Sequence, residues 1–463
     1  MTGDRVTTGD DGEAVERFRT LLRIPTMSNL DPSLVDEAAF AAYRDALERL
    51  YPALHGELVR EVVGGGSLLY RWAGDRSDAD SPPATVLMAH YDVVAATDEG
   101  WEHPPFGAVV TGTVTGSGAQ TSTGQLLWGR GTLDNKGSGV AILEAVERSV
   151  RAGLRPASDV YLFFGHDEET EGTGALAAAE LLAARGVRIG LVLDEGGAVV
   201  EKVFPTVERP IAVVGVAEKG TSSFTLTVQQ NGGHASTPPR DPATNRLARA
   251  MVRLAKHPFP SGLNAVTARM IATVGAEGRD PLRFVFTRVG VFRPLIVAAF
   301  ERLGVDTAAM VRTTMAVTQL SGSLAANALA ERAQAVVNVR IAIGSTVDAT
   351  RRHLERAIAD PLVAVEILSA DEPSPVSEMD GPVWELLAAA VSETYPEAIV
   401  TPYVQTGATD SRRFAGASRT VYRFSPFEMS TEERGTLHAK NERIRVATWL
   451  TGIRFYEGLL RRL

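Results

Sequence analysis

The chain has 463 residues, 44% hydrophobic and 22% charged, and its 47 basic against 56 acidic side chains leave a net charge of −9. This is ordinary globular composition, which excludes wholesale disorder and suggests about two to four domains at roughly 150 residues each. Net acidity argues against a general nucleic-acid binder, and the absence of cysteine excludes disulfides, thiolate nucleophiles, iron–sulfur clusters and zinc–thiolate sites, so any transition metal must be held by His, Asp and Glu.

The polar segment 1–10 lacks the apolar core of a signal peptide, and no run of about 18 apolar residues follows, so the expectation is a cytoplasmic protein without a membrane anchor. Helical spacing of Val15, Phe18 and Leu22 predicts a helix over 12–23, stopped by Pro25. A second helix is predicted over 36–50 and a strand over 85–89 that ends at His90. The Gly/Thr/Ser-rich stretch 111–124 reads as a hairpin tip or loop. A helix over 137–151, a buried strand over 160–164, a helix over 174–185 and a strand over 190–193 follow. Apolar strands alternating with helices indicate an α/β domain with a largely parallel sheet.

After about residue 208 the pattern becomes that of a small α+β domain: strand 222–229, helix 245–256, strand 333–343, helix 347–359, strand 363–369. A largely helical insert over 258–322 interrupts it. The expected organisation is a metal-binding domain in two parts, 1–208 and 376–463, with 209–375 inserted.

Three polar motifs directly follow apolar strands: His90-Tyr-Asp92, His166-Asp-Glu-Glu169 and Asp194-Glu195. In open α/β sheets the working crevice lies beyond the carboxyl ends of the strands, so one sheet edge can gather all three. Asp134 precedes a helix in Gly129-Arg-Gly-Thr-Leu-Asp-Asn-Lys136, and His438 lies far away in Gly435-Thr-Leu-His-Ala-Lys-Asn-Glu442. Imidazoles and carboxylates without sulfur suit zinc, or less selectively cobalt or manganese. His90 and Asp92, two apart on extended chain, share a side, so Asp92 can fix the His90 ring. Taken singly, each motif has an ordinary structural reading; Asp134, for example, suits a helix N-cap.

In order, the segments Met88-Ala-His-Tyr-Asp-Val-Val94, Trp101-Glu-His-Pro-Pro-Phe-Gly107, Trp128 to Lys136, Phe164-Gly-His-Asp-Glu-Glu169, Leu193-Asp-Glu-Gly-Gly197, Gly232-Gly-His-Ala-Ser236, Asn338-Val-Arg-Ile341, Gly407-Ala-Thr-Asp410 and the His438 segment carry a resemblance spanning roughly residues 12–460. The chain resembles the co-catalytic zinc metallopeptidases of the acetylornithine deacetylase, succinyl-diaminopimelate desuccinylase and aminoacylase group, and within it the carboxypeptidase S-like branch. The resemblance implies a zinc-peptidase mixed sheet flanked by helices, with an inserted α+β lid often used for dimerisation. It implies two divalent metal ions, one held by His90 and Asp194, the other by Glu169 and His438, with Asp134 bridging. It implies that Asp92 orients His90, that Glu168 is the general base and that His234 stabilises the oxyanion. Arg340, Asn327, Thr409 and Asp410 are the candidate substrate-binding residues.

The function expected is metal-dependent hydrolysis of an amide bond in a peptide or N-acyl amino acid with a free carboxylate. A dipeptidase, an aminopeptidase or a small-molecule deacylase of the same chemistry is the runner-up, and an inactive binding protein on this fold is the rival from another class. A homodimer through the lid is a further expectation.

Overall fold

A computed structural model of the chain describes residues 9–75, 82–112, 124–201 and 203–463. The stretch 113–123, within the expected hairpin tip, and the first eight residues of the polar start lie outside the described residues. The chain divides into two compact units. The first holds Met1–Val216, Ser377–Thr401 and Thr409–Leu463; the second holds Ala217–Val376 and Pro402–Ala408.

The first unit is organised by an eight-stranded mixed sheet, in the order Val59–Val63, Ser67–Trp72, Val160–Gly165, Ala84–His90, Ile189–Val200, Val421–Met429, Ile211–Glu218, Ile399–Gln405, the last two strands running on into the second unit. Ala84–His90 pairs in parallel with both Val160–Gly165 and Ile189–Val200, and Val421–Met429 is parallel to Ile189–Val200. Burial on both faces explains the unbroken apolar runs: every residue of Ala84–His90 and of Val160–Gly165 is buried. Helices Lys136–Arg151 and Val446–Leu460 share a core. There the Phe18 and Trp449 rings stack at 4.6 Å and the Trp449 indole N–H donates to the Gly137 carbonyl at 3.0 Å. Each such buried apolar side chain is worth about 1.5–3 kcal/mol.

The second unit has its own four-stranded sheet, ordered Thr314–Ser321, Arg332–Ile341, Gly220–Gln229, Ala364–Asp371, all neighbours antiparallel. Helices Ala243–Lys256 and Val347–Ile358 cover one face, and Phe224, Leu226, Val337, Leu247 and Leu354 form the core beneath them. The stretch 258–322 is largely helical but ends in a strand. It contains helices Ala265–Gly275, Leu282–Phe286, Val289–Leu303 and Val305–Val311, but Thr314–Ser321 is an edge strand. That strand is held by ladder pairing with Arg332–Ile341, which a helical reading of the segment cannot anticipate.

Candidate metal centre and active site

The site is built within the first unit, at the ends of its parallel strands. His90 closes its strand with its side chain 1% exposed. Its Nδ1 lies 3.0 Å from the Asp92 carbonyl oxygen and 3.2 Å from Asp92 Oδ1. This turns Nε2 toward Asp134 Oδ1 at 3.0 Å and Glu195 Oε1 at 3.2 Å. The buried Asp92 carboxylate also accepts the amides of Glu168 at 3.3 Å and Glu169 at 3.2 Å. One carboxylate thus fixes both an imidazole and the acidic turn beside it.

Asp134 stands between two imidazoles. Its Oδ1 faces His90, and its Oδ2 is 2.9 Å from His438 Nε2. Glu169 Oε2 is 3.2 Å from the same His438 nitrogen. Among the described residues two donor groups result, His90–Asp134–Glu195 and Asp134–Glu169–His438, with Asp134 common to both. Glu168 belongs to neither; its Oε2 is 4.0 Å from His90 Nε2.

Asp194, expected to be a ligand, does not join this cluster; Glu195 does. The reason is a bulge. Asp194 stays in the ladder opposite Arg423, but the next paired residue is Gly197 opposite Phe424, so Glu195 and Gly196 have no partners in register. A bulge beside a site re-aims a side chain, here Glu195 toward His90. Gly196 has φ 134°, and a Cβ on Gly197 would sit 1.9 Å from the Val213 carbonyl oxygen, so both positions require glycine. Asp194 instead accepts the Ser411 amide at 2.8 Å and the Glu195 amide at 2.9 Å.

The cluster is electrostatically unfavourable as a bare set of side chains. Burial pushes the Glu195 carboxyl up to about 8, with Asp134 adding repulsion against the pull of His90. Burial also pushes Glu168 well above the usual carboxylate range, and Glu195, Asp410 and Glu169 add to it. For His90 burial acts downward, but Glu195, Asp134 and Asp92 outweigh it and hold the imidazolium well above its ordinary range. Hydrogen bonds to Asp134 and Glu169 lift His438 to about 10. Asp134 moves down despite burial, because both imidazoles donate to it. Glu169 Oε1 is buried with no hydrogen-bond partner among the described residues. Donors around one tetrahedral zinc at about 2.0–2.1 Å stand about 3.3 Å apart. The imidazole–carboxylate separations of 2.9–3.2 Å are those of hydrogen-bonded pairs, a little under that spacing. Each donor group has ligand chemistry that could hold a divalent cation, whose charge would offset the acid cluster.

The other expected residues fall elsewhere. Thr409 and Asp410 are buried, 3% and 6% exposed, and Asp410 adds to the negative charge around Glu168. Asp410 packs so closely under Gly165 and Gly172 that a Cβ on either would lie 2.6 Å from its carboxylate oxygens. In the second unit, His234 is exposed on a two-residue strand opposite Ala328, its Nδ1 3.1 Å from Ser236 Oγ. The next amide, Ala235, donates to the Asn327 carbonyl at 3.0 Å, so His234 and Asn327 are neighbours. Arg340 lies on the strand Arg332–Ile341 and donates to Thr221 Oγ1 at 2.8 Å. Two buried residues that the sequence reading did not single out, Arg130 and Glu442, bracket the Asp134 loop. Their positions inside the Asp134 and His438 motifs were the available signal.

The sequence profile of Peptidase family M20/M25/M40 matches residues 86–462. The N-fatty-acyl-amino acid synthase/hydrolase PM20D1 of Homo sapiens is 33% identical over 451 residues, 96% of this chain and 86% of that protein. Carboxypeptidase S of Saccharomyces cerevisiae is 28% identical over 502 residues, 96% of this chain and 84% of that protein. Among solved structures, the M20 family metallo-carboxypeptidase Sso-CP2 from Sulfolobus solfataricus has a TM-score of 0.66 at 17% identity, covering 97% of this chain and 98% of that one. Human carnosine dipeptidase 1 has a TM-score of 0.60 at 15% identity, covering 98% of this chain and 97% of that one. These structural likenesses are of fold alone; with the profile match and the relatives above 30% identity, they lead to one conclusion, that the chain belongs to peptidase family M20/M25/M40 and is a hydrolase of amide bonds.

Proposed function

We propose that this hydrolase holds two zinc ions and releases a free amino acid from an N-acyl amino acid or a peptide with a free α-carboxylate. The observation carrying the metal reading is the pair of donor groups that share Asp134. His90, Asp134 and Glu195 would hold one cation, and Asp134, Glu169 and His438 the other. Bound there, such cations lower the pKa of water and polarise a carbonyl. Glu168, beside the cluster but outside both donor groups, takes the proton of the attacking water and passes it to the leaving amine. Asp92 keeps the His90 tautomer and the Glu168–Glu169 turn in place. His234 donates to the developing carbonyl oxyanion, and Arg340 takes the substrate carboxylate through two guanidinium N–H groups, with Asn327 beside His234. Thr409 and Asp410 are read as the floor of the substrate pocket beside Glu168.

The second unit serves as lid and as the face of a homodimer. Support comes from its separate core and from its two edge strands, which leave Leu320, Ile367 and Leu368 exposed. A cysteine-free chain suits a reducing cytoplasm, and no described helix is long and apolar enough to cross a membrane.

Glu168→Gln is expected to lower kcat by several orders of magnitude with zinc content unchanged; full activity in that variant would refute the base. Substrate class is read by comparing N-acyl amino acids, free-amine peptides and their carboxyl-amidated forms. Amidation is expected to abolish turnover, and preferential cleavage of amidated peptides would overturn the carboxylate requirement.

A further inference from the structure

We propose that Arg130 and Glu442 form a positioning pair that keeps the two halves of the cation site in register; this rests on the two-cation reading above. Arg130 is 3% exposed and Glu442 is fully buried. Glu442 Oε1 accepts the amides of Leu133 at 2.8 Å and Asp134 at 3.1 Å, so it holds the backbone that carries the shared carboxylate. Its Oε2 accepts from Arg130 Nη1 at 2.6 Å. Arg130 Nη2 then reaches the carbonyls of His438 at 3.3 Å and Ala439 at 3.1 Å. The Gly129 amide closes the loop onto the Glu442 carbonyl at 3.0 Å.

His438 needs such a hold. Its side chain is 55% exposed, and its backbone is left-handed at φ 57°, a conformation that costs a non-glycine residue energy unless its surroundings fix it. Arg130 grips two successive carbonyls of that turn. A buried ion pair is by itself weak support for stability, since apolar residues of similar volume often serve as well. Apolar residues could not hold four backbone groups from two segments about 300 residues apart. A lysine would pair with Glu442, but as a point charge it cannot reproduce the planar fork that spans carboxylate and carbonyls together.

The test is calorimetric titration of zinc into chelator-stripped protein, with apo melting temperatures beside it. Wild type is expected to show two binding events, identified by Glu195→Gln, which removes the first, and Glu169→Gln, which removes the second. Arg130→Lys is expected to weaken the Glu169–His438 event tenfold or more and the His90–Glu195 event less than threefold. Glu442→Gln, which also loosens the Asp134 amides, should weaken both. Glu144→Gln is the control: that buried carboxylate pairs with Arg17 at 2.7 Å away from the cluster, and its loss should lower the melting temperature with both events unchanged. Arg130→Lys carries the test because it keeps a charge beside Glu442, so the fold is spared while the fork is lost. If Arg130→Lys weakens both events equally or neither, the pair is merely structural and the two-cation reading stands. If wild type takes up no zinc, the two-cation reading fails and the positioning role with it.

Discussion

Two adjacent acids, Asp194 and Glu195, show how far identity alone can place a ligand. Either can bind zinc, and their order in the chain does not say which faces the cluster. The bulge decides, leaving Asp194 to accept the Ser411 amide and aiming Glu195 at His90. Glu195→Ala is therefore expected to leave one zinc per chain and to lower kcat/KM by at least about 1000-fold, about 4 kcal/mol of transition-state stabilisation. Asp194→Asn keeps an acceptor oxygen for the Ser411 amide and should retain both ions. Elemental analysis of the two purified variants is decisive. Loss of zinc from Asp194→Asn with full retention in Glu195→Ala would restore Asp194 as the ligand.

At the scale of elements, the same bulge depends on Gly196 and Gly197. A Cβ at Gly197 meets the Val213 carbonyl at 1.9 Å and the Arg423 carbonyl at 2.9 Å, both backbone atoms with little room to shift. Gly197→Ala should cost about 1–3 kcal/mol or more in stability and weaken zinc binding, because the ladder must move. Gly290→Ala, inside a helix with nothing within 4 Å of the new Cβ, should be neutral or slightly stabilising. Chemical denaturation of both variants, with zinc removed, reads the difference. Local pattern is also what made some elements legible and others not. The strands ending at His90 and Gly165 were readable because burial on both faces leaves an unbroken apolar run. The strand Val421–Met429 was not, since Arg423 and Pro426 break its pattern; Pro426 falls where the register with Ile189–Val200 shifts, a place where a strand tolerates proline. Pro402 hides Ile399–Gln405 in the same way. Thr314–Ser321 lacks alternation because an edge strand in this unit leaves nearly every residue exposed. For the site, the strand-end motifs were visible one by one, but the meeting of Asp134 with His438, across some 300 residues, is a property of the fold.

For the whole molecule, the cluster links stability to pH in opposite senses with and without metal. In the metal-free protein Glu195 titrates at about 8 and His438 at about 10, above ordinary values of 4.5 and 6.5. The folded chain thus binds these protons more tightly than the unfolded one. Their contribution is fully present below about pH 4.5 for Glu195 and about pH 6.5 for His438, and it is lost as pH rises through 8 and 10. Zinc requires the same donors deprotonated, so each proton it displaces makes affinity rise about tenfold per pH unit. Free zinc at 1,000 times its dissociation constant adds about 4.1 kcal/mol of stability. Between pH 5.5 and 8.5, the melting temperature is therefore expected to fall with pH in excess chelator. In saturating zinc it should hold or rise, so that the gap widens steadily. Scanning calorimetry in both conditions, with heats of zinc binding compared across buffers of different ionisation enthalpy, measures the gap and the protons released together. Parallel curves and no proton release would mean that zinc, if bound at all, sits away from His90, Glu195 and His438.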